Sequence, residues 1–549
     1  MALLGAGCGQ PPLSAVEAAD EFPKLRDVTA RAGIDFVHDR GASARRLLVE
    51  AMGGGVTVLD FDGDGRPDLY FVDSGLAPQE GSPRAGSNRL YRNLGGWRFE
   101  DVTERANAAG RGTMMGAIAA DCDGDGDQDL FITGVGANLL LRNRGDGTFE
   151  DDTERAGLTD SAWSTGATFF DFDRDGDLDL FVLHYVEWDE ASQREHTLRG
   201  VPVVPAPDVF EPIANRLFRN RGDGTFEDVT EAAGLAGLFG KGLGVLSADL
   251  DDDGDVDVFV ANDTERNFVL ENLGDGTFRD VGLLSGAAYG ADGRAQSGMG
   301  VDAADLHGDG RLDIVVTNFQ HEVNSIFRNE GGLRFTEVSA SSGTAAVALN
   351  ALGFGVRALD LDFDGVVDLV VANGHIQEHI AELEAGVGWA QAPSCFRGLG
   401  GGRFQDVLAG EPEEFRRARV GRGLAAADFD GDGDLDLVFG VLGGAPRVFE
   451  NDGGNRRTWI AVRCVGTNRD ASALGTRVRI ECAGRSQVAE VRSGGSYLSQ
   501  SDLQLHFGLA SADVVERITV RWPDGKVEEA RDVPARRSVT FVEGRGLTR

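Results

Sequence analysis

One spacing of acids recurs seven times along this chain and decides most of what it can fold into: G-x-x-x-x-D-x-D-x-D-G-x-x-D. Its first aspartates are Asp60, Asp121, Asp171, Asp249, Asp305, Asp360 and Asp428, at intervals of 61, 50, 78, 56, 55 and 68 residues. A regular period of this size marks a repeat architecture, in which each unit buries its apolar face only by stacking on its neighbours. We call the seven stretches loops 1 to 7. Between them sits a second unit, N-x-L-F-R-N-x-G-D-G-T-F-x-D-V-T. It is clearest at Asn215–Thr230, with variants at Asn88–Thr103, Asn138–Thr153, Asn267–Val281 and Asn324–Val338 and a degraded copy starting near Ser394.

Each repeat therefore encodes four short strands. One leads into the acidic loop (GGVTVLD), one leaves it (DLYFV), and NRLYRN and RFEDVT form a hairpin across a Gly-rich turn. Four antiparallel strands per repeat make a propeller blade, so the expected fold is all-β, a seven-bladed β-propeller. The seventh repeat lacks its F-x-D-V-T strand, while the N-terminus holds an unattached copy at Phe22–Gly33. Residues 24–29 are expected to complete the last blade and leave no open edge. A glycine stands five residues before every loop: Gly55, Gly116, Gly166, Gly244, Gly300, Gly355 and Gly423. Glycine there permits close backbone approach, as the crowded propeller axis requires.

The loops are expected to bind Ca²⁺. Aspartates at loop positions 1, 3, 5 and 9, with Gly at 6, set hard oxygen donors around one point, and the carbonyl of position 7 adds another. The predicted ligands are Asp60, Asp62, Asp64 and Asp68 in loop 1, and Asp121, Asp123, Asp125 and Asp129 in loop 2. Loop 3 offers Asp171, Asp173, Asp175 and Asp179, and loop 4 offers Asp249, Asp251, Asp253 and Asp257. Loop 5 offers Asp305, Asp309 and Asp313, with His307 at position 3. Loop 6 offers Asp360, Asp362, Asp364 and Asp368, and loop 7 Asp428, Asp430, Asp432 and Asp436. His307 is a poor calcium ligand, so loop 5 is expected to be weak or empty and the total to be six or seven ions. An EF-hand needs a bidentate Glu at position 12 between helices. That position here is Phe71, Ile132, Val182, Val260, Val316, Val371 or Phe439, which excludes it.

The net charge of −37 excludes nucleic acid and anionic membrane as partners. Seven divalent ions would reduce it to −23. Modules of this affinity class, roughly 10⁻⁴–10⁻³ M, fill outside the cytoplasm, so the protein is expected to be extracytoplasmic: secreted, periplasmic or lipid-anchored. The segment 1–20 (MALLGAGCGQPP…) resembles a truncated lipoprotein signal, in which Cys8 would carry the lipid. Five cysteines are too few for a disulfide framework, and Cys464 and Cys482 are either a pair or two core thiols.

Residues 21–452 thus read as the propeller, Asp452–Arg456 as a linker, and 456–545 as a compact β-sandwich of alternating strands and Gly/Asn/Asp turns. The loops and blades resemble FG-GAP/VCBS repeats, found in integrin α-chain propellers and many secreted bacterial proteins. Arg457–Ile480, Gly494–Ala510 and Val520–Glu529 resemble the ASPIC/UnbV domain. The combination is similar to the cartilage acidic protein family. The resemblance implies a secreted, calcium-binding propeller with Asp at positions 1, 3, 5 and 9 as ligands. It implies no particular reaction.

Three further features compete for a role. Arg144-Gly145-Asp146 and Arg221-Gly222-Asp223 spell an adhesion tripeptide, but both lie in the hairpin turn, where the next copy reads Leu273-Gly274-Asp275. His375 and His379 are spaced for one helix face with Glu378 beside them. The insertion His184–Ala214, with Tyr185, Trp188 and Phe210, is the best candidate for a partner or ligand site. The sequence holds no nucleophile elbow, phosphate-binding loop or Ser/His/Asp pattern. It reads as an extracytoplasmic binding or scaffold protein engaging a protein or glycan. The alternative is a hydrolase or lyase acting on extracellular polysaccharide or lipid, with acids converging in the axial channel.

Overall fold

The computed structural model describes residues 22–75, 88–191, 193–467 and 470–548. Cys8 and the signal-like segment lie outside the described residues. Seven four-stranded antiparallel sheets follow the repeats. In each, the first strand enters an acidic loop and the second leaves it, as Val56–Leu59 and Asp68–Phe71 do in register Leu59↔Asp68. The first strand of each sheet neighbours that of the next, and Gly421–Ala427 returns to Val56–Leu59, so the ring is closed. The seventh sheet takes its outer strand from the N-terminus, where Lys24–Asp27 pairs antiparallel with the Arg447–Asp452 strand.

Sheets pack face to face through the apolar sides of their strands. The hairpin phenylalanines Phe99, Phe149, Phe226, Phe278, Phe335 and Phe404 are all buried. The asparagine that ends the third strand then stitches one sheet to the next. Asn143 Nδ2 donates to Phe61 O at 2.8 Å, Asn220 to Cys122 O at 2.8 Å, Asn272 to Phe172 O at 2.9 Å and Asn329 to Leu250 O at 2.7 Å. Asn451 reaches Leu361 O and Asn93 reaches Phe429 O, each at 2.9 Å. The acceptor is always the carbonyl at position 2 of the preceding loop. The sixth sheet has Gly398 at this place. Leu306 O is met there by the backbone N–H of Gly402 at 2.9 Å.

The tail forms two four-stranded sheets. One holds Leu505–Ala510, Thr458–Val465, Arg537–Val542 and Gly546–Leu547; the other holds Arg485–Glu490, Arg477–Cys482, Val514–Arg521 and Val527–Pro534. Ile460, Val462, Ile480, Phe507, Ile518 and Phe541 fill the space between them. Cys464 and Cys482 are both free and buried.

The tail sits on the acidic-loop side of the ring, with Trp459 packed on Gly433 of loop 7. Its segment Ser493–Asp502 passes into the axis. Ser496 pairs with Val301, and Gln500 with Thr57. A Cβ on Gly55 would lie 2.1 Å from Leu498 O, and one on Gly423 would lie 2.5 Å from Ser499 Oγ. Glycines before four of the loops, Gly55, Gly116, Gly300 and Gly423, therefore admit a turn of the tail beside the neighbouring blades. From the opposite side, the Leu48–Ala51 turn closes the axis, and Met52, Met115, Met299, Phe354, Tyr497 and Leu498 pack there as one core.

Candidate metal centres

The seven loops share one scaffold. The carboxylate at position 9 is buried in all of them. Its Oδ2 accepts the N–H of position 2, as from Phe61 to Asp68 at 3.2 Å. Its Oδ1 accepts the N–H that begins the Asn stitch, as from Asn93 at 2.6 Å. The same pair of bonds recurs at Asp129, Asp179, Asp257, Asp313, Asp368 and Asp436, with Gly398 N–H in place of the asparagine's at Asp368. Position 9 is one of the four expected ligands. Its two backbone bonds also tie the loop to the hairpin of its own blade.

Position 1 turns the loop. Its Oδ2 accepts the N–H of the position-6 glycine at 2.8–3.1 Å in all seven loops. That glycine is left-handed throughout, and position 4 is left-handed as well, even where it is Arg174, Asp252 or Phe363. Two left-handed residues curl the loop so that the acids at 1 and 3 point inward with position 9.

Carboxylate oxygens of Asp60, Asp62 and Asp68 lie within 4.8 Å of one another. So do those of Asp171, Asp173 and Asp179, of Asp249, Asp251 and Asp257, and of Asp360, Asp362 and Asp368. In loop 2 the trio is Asp121, Asp123 and Asp125. Asp129 there faces the buried guanidinium of Arg142, whose Nη1 donates to it at 3.0 Å while Nε donates to Asp152 at 3.2 Å. At position 5, Asp64 pairs with Arg66 and Arg92, Asp309 with Arg311 and Arg328, and Asp364 with Arg397. In loop 5, His307 Nδ1 lies 2.7 Å from Asp313 Oδ2, and the imidazole packs on Gly402. In loop 7, Asp428 accepts Gly431 and Asp432 N–H groups, and Asp430 accepts Trp97 Nε1 at 2.9 Å.

Two properties make these clusters fit a hard divalent cation. First, Asp60 Oδ1, Asp62 Oδ1, Asp171 Oδ1 and Asp173 Oδ1 are buried oxygens with no hydrogen-bond partner. Buried acceptors of this kind normally find one. Second, burial holds the acids far above the usual carboxylate range. Asp68 is pushed up to about 8, Asp171 and Asp428 to about 7, and Asp121 and Asp251 to about 6. Burial is the largest cause in each case, with neighbouring acids adding to it. A divalent ion would remove both strains.

The tail covers this face with cations of its own. Arg457 Nη1 reaches Asp362 at 2.7 Å, and Arg521 reaches Asp249. Arg477 donates to Asp249 O at 2.9 Å and Gly310 O at 3.2 Å, while Arg485 donates to Asp364 O at 3.2 Å. No repeat signal in the loops announces these contacts, because their donors lie far away in the chain.

The other candidates resolve differently. In both Arg-Gly-Asp turns the Asp accepts from the Thr two residues on, and the Arg pairs with a glutamate, Glu150 or Glu227. Their bonds are those of the hairpin. The helix at Ile380–Leu383 leaves His375 outside it. His375 is buried, and burial first, then Arg422, pushes it down to about 4. His379 faces Glu382 at 3.1 Å, so the two histidines do not share a helix face. The insertion is tied down by Gln377, which exchanges two bonds with Val204, and by Arg45 on Glu190, yet Leu198 and Val209 are each 53% exposed. Chain enters the axial channel that a hydrolase or lyase would use: Ser496 pairs there with Val301 and Gln500 with Thr57. Arg422, fully buried there, gives its protons to the carbonyls of Ala51, Gly374 and Gly421.

A family profile described as an FG-GAP-like repeat matches residues 60–132, 121–182, 209–260, 249–316 and 305–371, together more than half of the chain. A second, described as ASPIC and UnbV, matches residues 466–548. Cartilage acidic protein 1 of Xenopus tropicalis is 30% identical over 277 residues, 49% of this chain and 40% of that protein. The Homo sapiens protein of the same name is 29% identical over 328 residues, 58% of this chain and 46% of its own length. The match thus spans less than half the length of these relatives. Among solved structures, an Agrocybe aegerita lectin that recognises non-reducing terminal N-acetylglucosamine aligns with a TM-score of 0.39 and 18% identity, covering 70% of this chain and 88% of that one. BBS1N in complex with ARL6DN gives the same TM-score at 10% identity, covering 78% and 98%. Neither bears on function at that score.

Proposed function

We propose that this chain, which belongs to the FG-GAP-like repeat family and ends in an ASPIC and UnbV domain, is a calcium-binding extracytoplasmic binding or scaffold protein. The observation that carries the reading is the set of unpartnered buried oxygens on Asp60, Asp62, Asp171 and Asp173. The ligands are the aspartates at positions 1, 3, 5 and 9, with His307 weakening loop 5. The ions are structural, since each sits where a blade hairpin turns and its neighbour is stitched on. Residues 21–452 and 456–545 are the two working units. A protein or glycan partner is met on the face opposite the tail, where the insertion exposes Leu198 and Val209. Extracytoplasmic placement follows from calcium supply. No helix among the described residues is long and apolar enough to cross a membrane.

The test is metal counting with thermal unfolding, first in excess EDTA and then in 10 mM calcium. A site of Kd near ~10⁻⁴ M stabilises the fold by ~2.7 kcal/mol at a hundredfold excess. Six or seven bound ions and a large upward shift in Tm are expected. A protein that binds no calcium and melts unchanged would overturn the reading.

A further inference from the structure

The seven loops differ in the charge that stands beside them. The residue just before the stitching asparagine, or before Gly398 in the sixth sheet, is Arg92, Arg142, Arg219, Arg328 or Arg397 in five sheets. In the fourth and seventh sheets it is Glu271 and Glu450. In loops 1, 2, 5 and 6 that arginine pairs with the acid at position 3 or 5. Arg92 meets Asp62, Arg142 meets Asp123 at 3.3 Å, Arg328 meets Asp309 at 3.5 Å and Arg397 meets Asp362 at 2.7 Å. Arg219 acts through its charge on Asp173 of loop 3. Loop 4 has its glutamate, but other arginines make up for it: Arg521 pairs with Asp249, and Arg174 with Asp255 at 2.9 Å. Loop 7 is different. Glu450 Oε1 and Asp430 Oδ2 accept the same indole N–H, from Trp97, at 3.0 and 2.9 Å. The charges that weigh most on Asp428, Asp430, Asp434 and Asp436 are those of other acids. Arg31 stands 3.9 Å from Glu450 with 59% of its side chain in solvent, and such pairs contribute little. Asp434, at position 7, is buried. Its Oδ2 accepts the Asn455 N–H at 3.0 Å, while its Oδ1 is a buried oxygen with no partner.

We propose that loop 7 is the tightest calcium site of the ring, with Glu450 and the Asp434 side chain adding their charge to the four aspartates of its motif. The inference rests on the calcium reading of the loops and ranks them. Calcium sites tune their affinity by the number of charged ligands and by rigidity. Loop 7 has both. Acids that share one donor repel until a cation lies between them. The surrounding acids are also held from separate parts of the chain: by Trp97 of the first sheet, by Asn455 of the linker, and by the Arg447–Asp452 strand that pairs with Lys24–Asp27. An ion in loop 7 therefore fixes the strand that closes the ring. The arginines beside loops 1, 2, 5 and 6 do the opposite, since each offsets charge that the ion would otherwise meet.

Stepwise calcium titration of the metal-free full chain, followed by hydrogen exchange, tests this without a variant. At one equivalent of calcium, the amides of Gly431–Asp434 and of Lys24–Asp27 should slow before those of any other loop. A second arm reads the affinity of the first ion by calorimetry. Glu450→Gln keeps an acceptor for Trp97 and removes only the charge, and should weaken that ion by roughly tenfold or more. Glu271→Gln should leave it unchanged. First protection at another loop, or a first affinity indifferent to Glu450→Gln, would overturn the proposal, while the ions still bound would leave the metal reading standing. No bound calcium at any concentration would overturn both.

Discussion

At six of the seven blade junctions an asparagine amide spans the seam, while the junction of the fifth and sixth sheets has Gly398 and spans it with the Gly402 backbone. That is also the junction whose loop carries His307. The two departures belong together in space. His307 occupies the room above Gly402, where a Cβ would come within 2.3 Å of its Nε2, and it bonds the position-9 acid Asp313. In loops 1, 3, 4 and 6 that acid lies close to the carboxylates at positions 1 and 3. At this seam an imidazole stands where the other loops place an acid at position 3, and the Gly402 N–H stands where the other seams place an asparagine amide. The carbonyl at position 2 is bonded in both designs.

The largest effect should come from breaking an ordinary seam. Asn329 is fully buried, and its Nδ2 serves Leu250 O and Leu312 O while its Oδ1 takes Gly331 N–H. Asn329→Ala strands two buried carbonyls and an amide, and should cost about 3 kcal/mol in urea unfolding. The converse change, Gly398→Asn, should also destabilise, because its Cβ would stand 2.2 Å from Val367 O. A stabilised Gly398→Asn would break the comparison, since it would make the glycine seam a mere defect.

The asparagine was visible in the sequence as part of N-x-L-F-R-N, but its work was not, because its acceptor lies in the preceding blade. The same limit separates the legible from the hidden elsewhere. The four strands per repeat, the acidic turns and the glycines before them are local, and local patterning fixes them. Entry of Ser493–Asp502 into the axis, Arg142 beside Asp129 and Arg457 on Asp362 join residues far apart in the chain. No spacing encodes such pairs. Position 9 shows the same limit: the acid is plain in the repeat, while the two backbone N–H groups that bond it, such as those of Phe61 and Asn93 at Asp68, are set by tertiary packing.

Calcium removal should sharpen the contrast next. In EDTA, amide exchange should quicken at loops 1 and 3, whose unpartnered acids then repel one another, and stay unchanged at loop 5. His307→Asp should erase that difference. The variant gains an inward acid and loses the bond to Asp313, so it should bind one more calcium and lose about 1–2 kcal/mol in EDTA. Metal counting on the purified variant reads the first effect and thermal unfolding the second. No gain in bound calcium would mean that something besides His307 closes loop 5.

The smallest effect tests whether the two departures are coupled at all. Gly402 has φ +70, so Gly402→Ala should cost about 1 kcal/mol through backbone strain alone. In the native background the new methyl must also displace the His307 ring, which cannot yield without stretching its bond to Asp313. Combined with His307→Asp, that second penalty disappears and only the backbone cost remains. A double-mutant cycle should therefore show a coupling of about 0.5–1 kcal/mol, with the double variant more stable than the two single costs predict. Strict additivity would mean that the histidine and the glycine share a seam without depending on each other, and the asparagine-free junction would then rest on the Gly402 N–H alone.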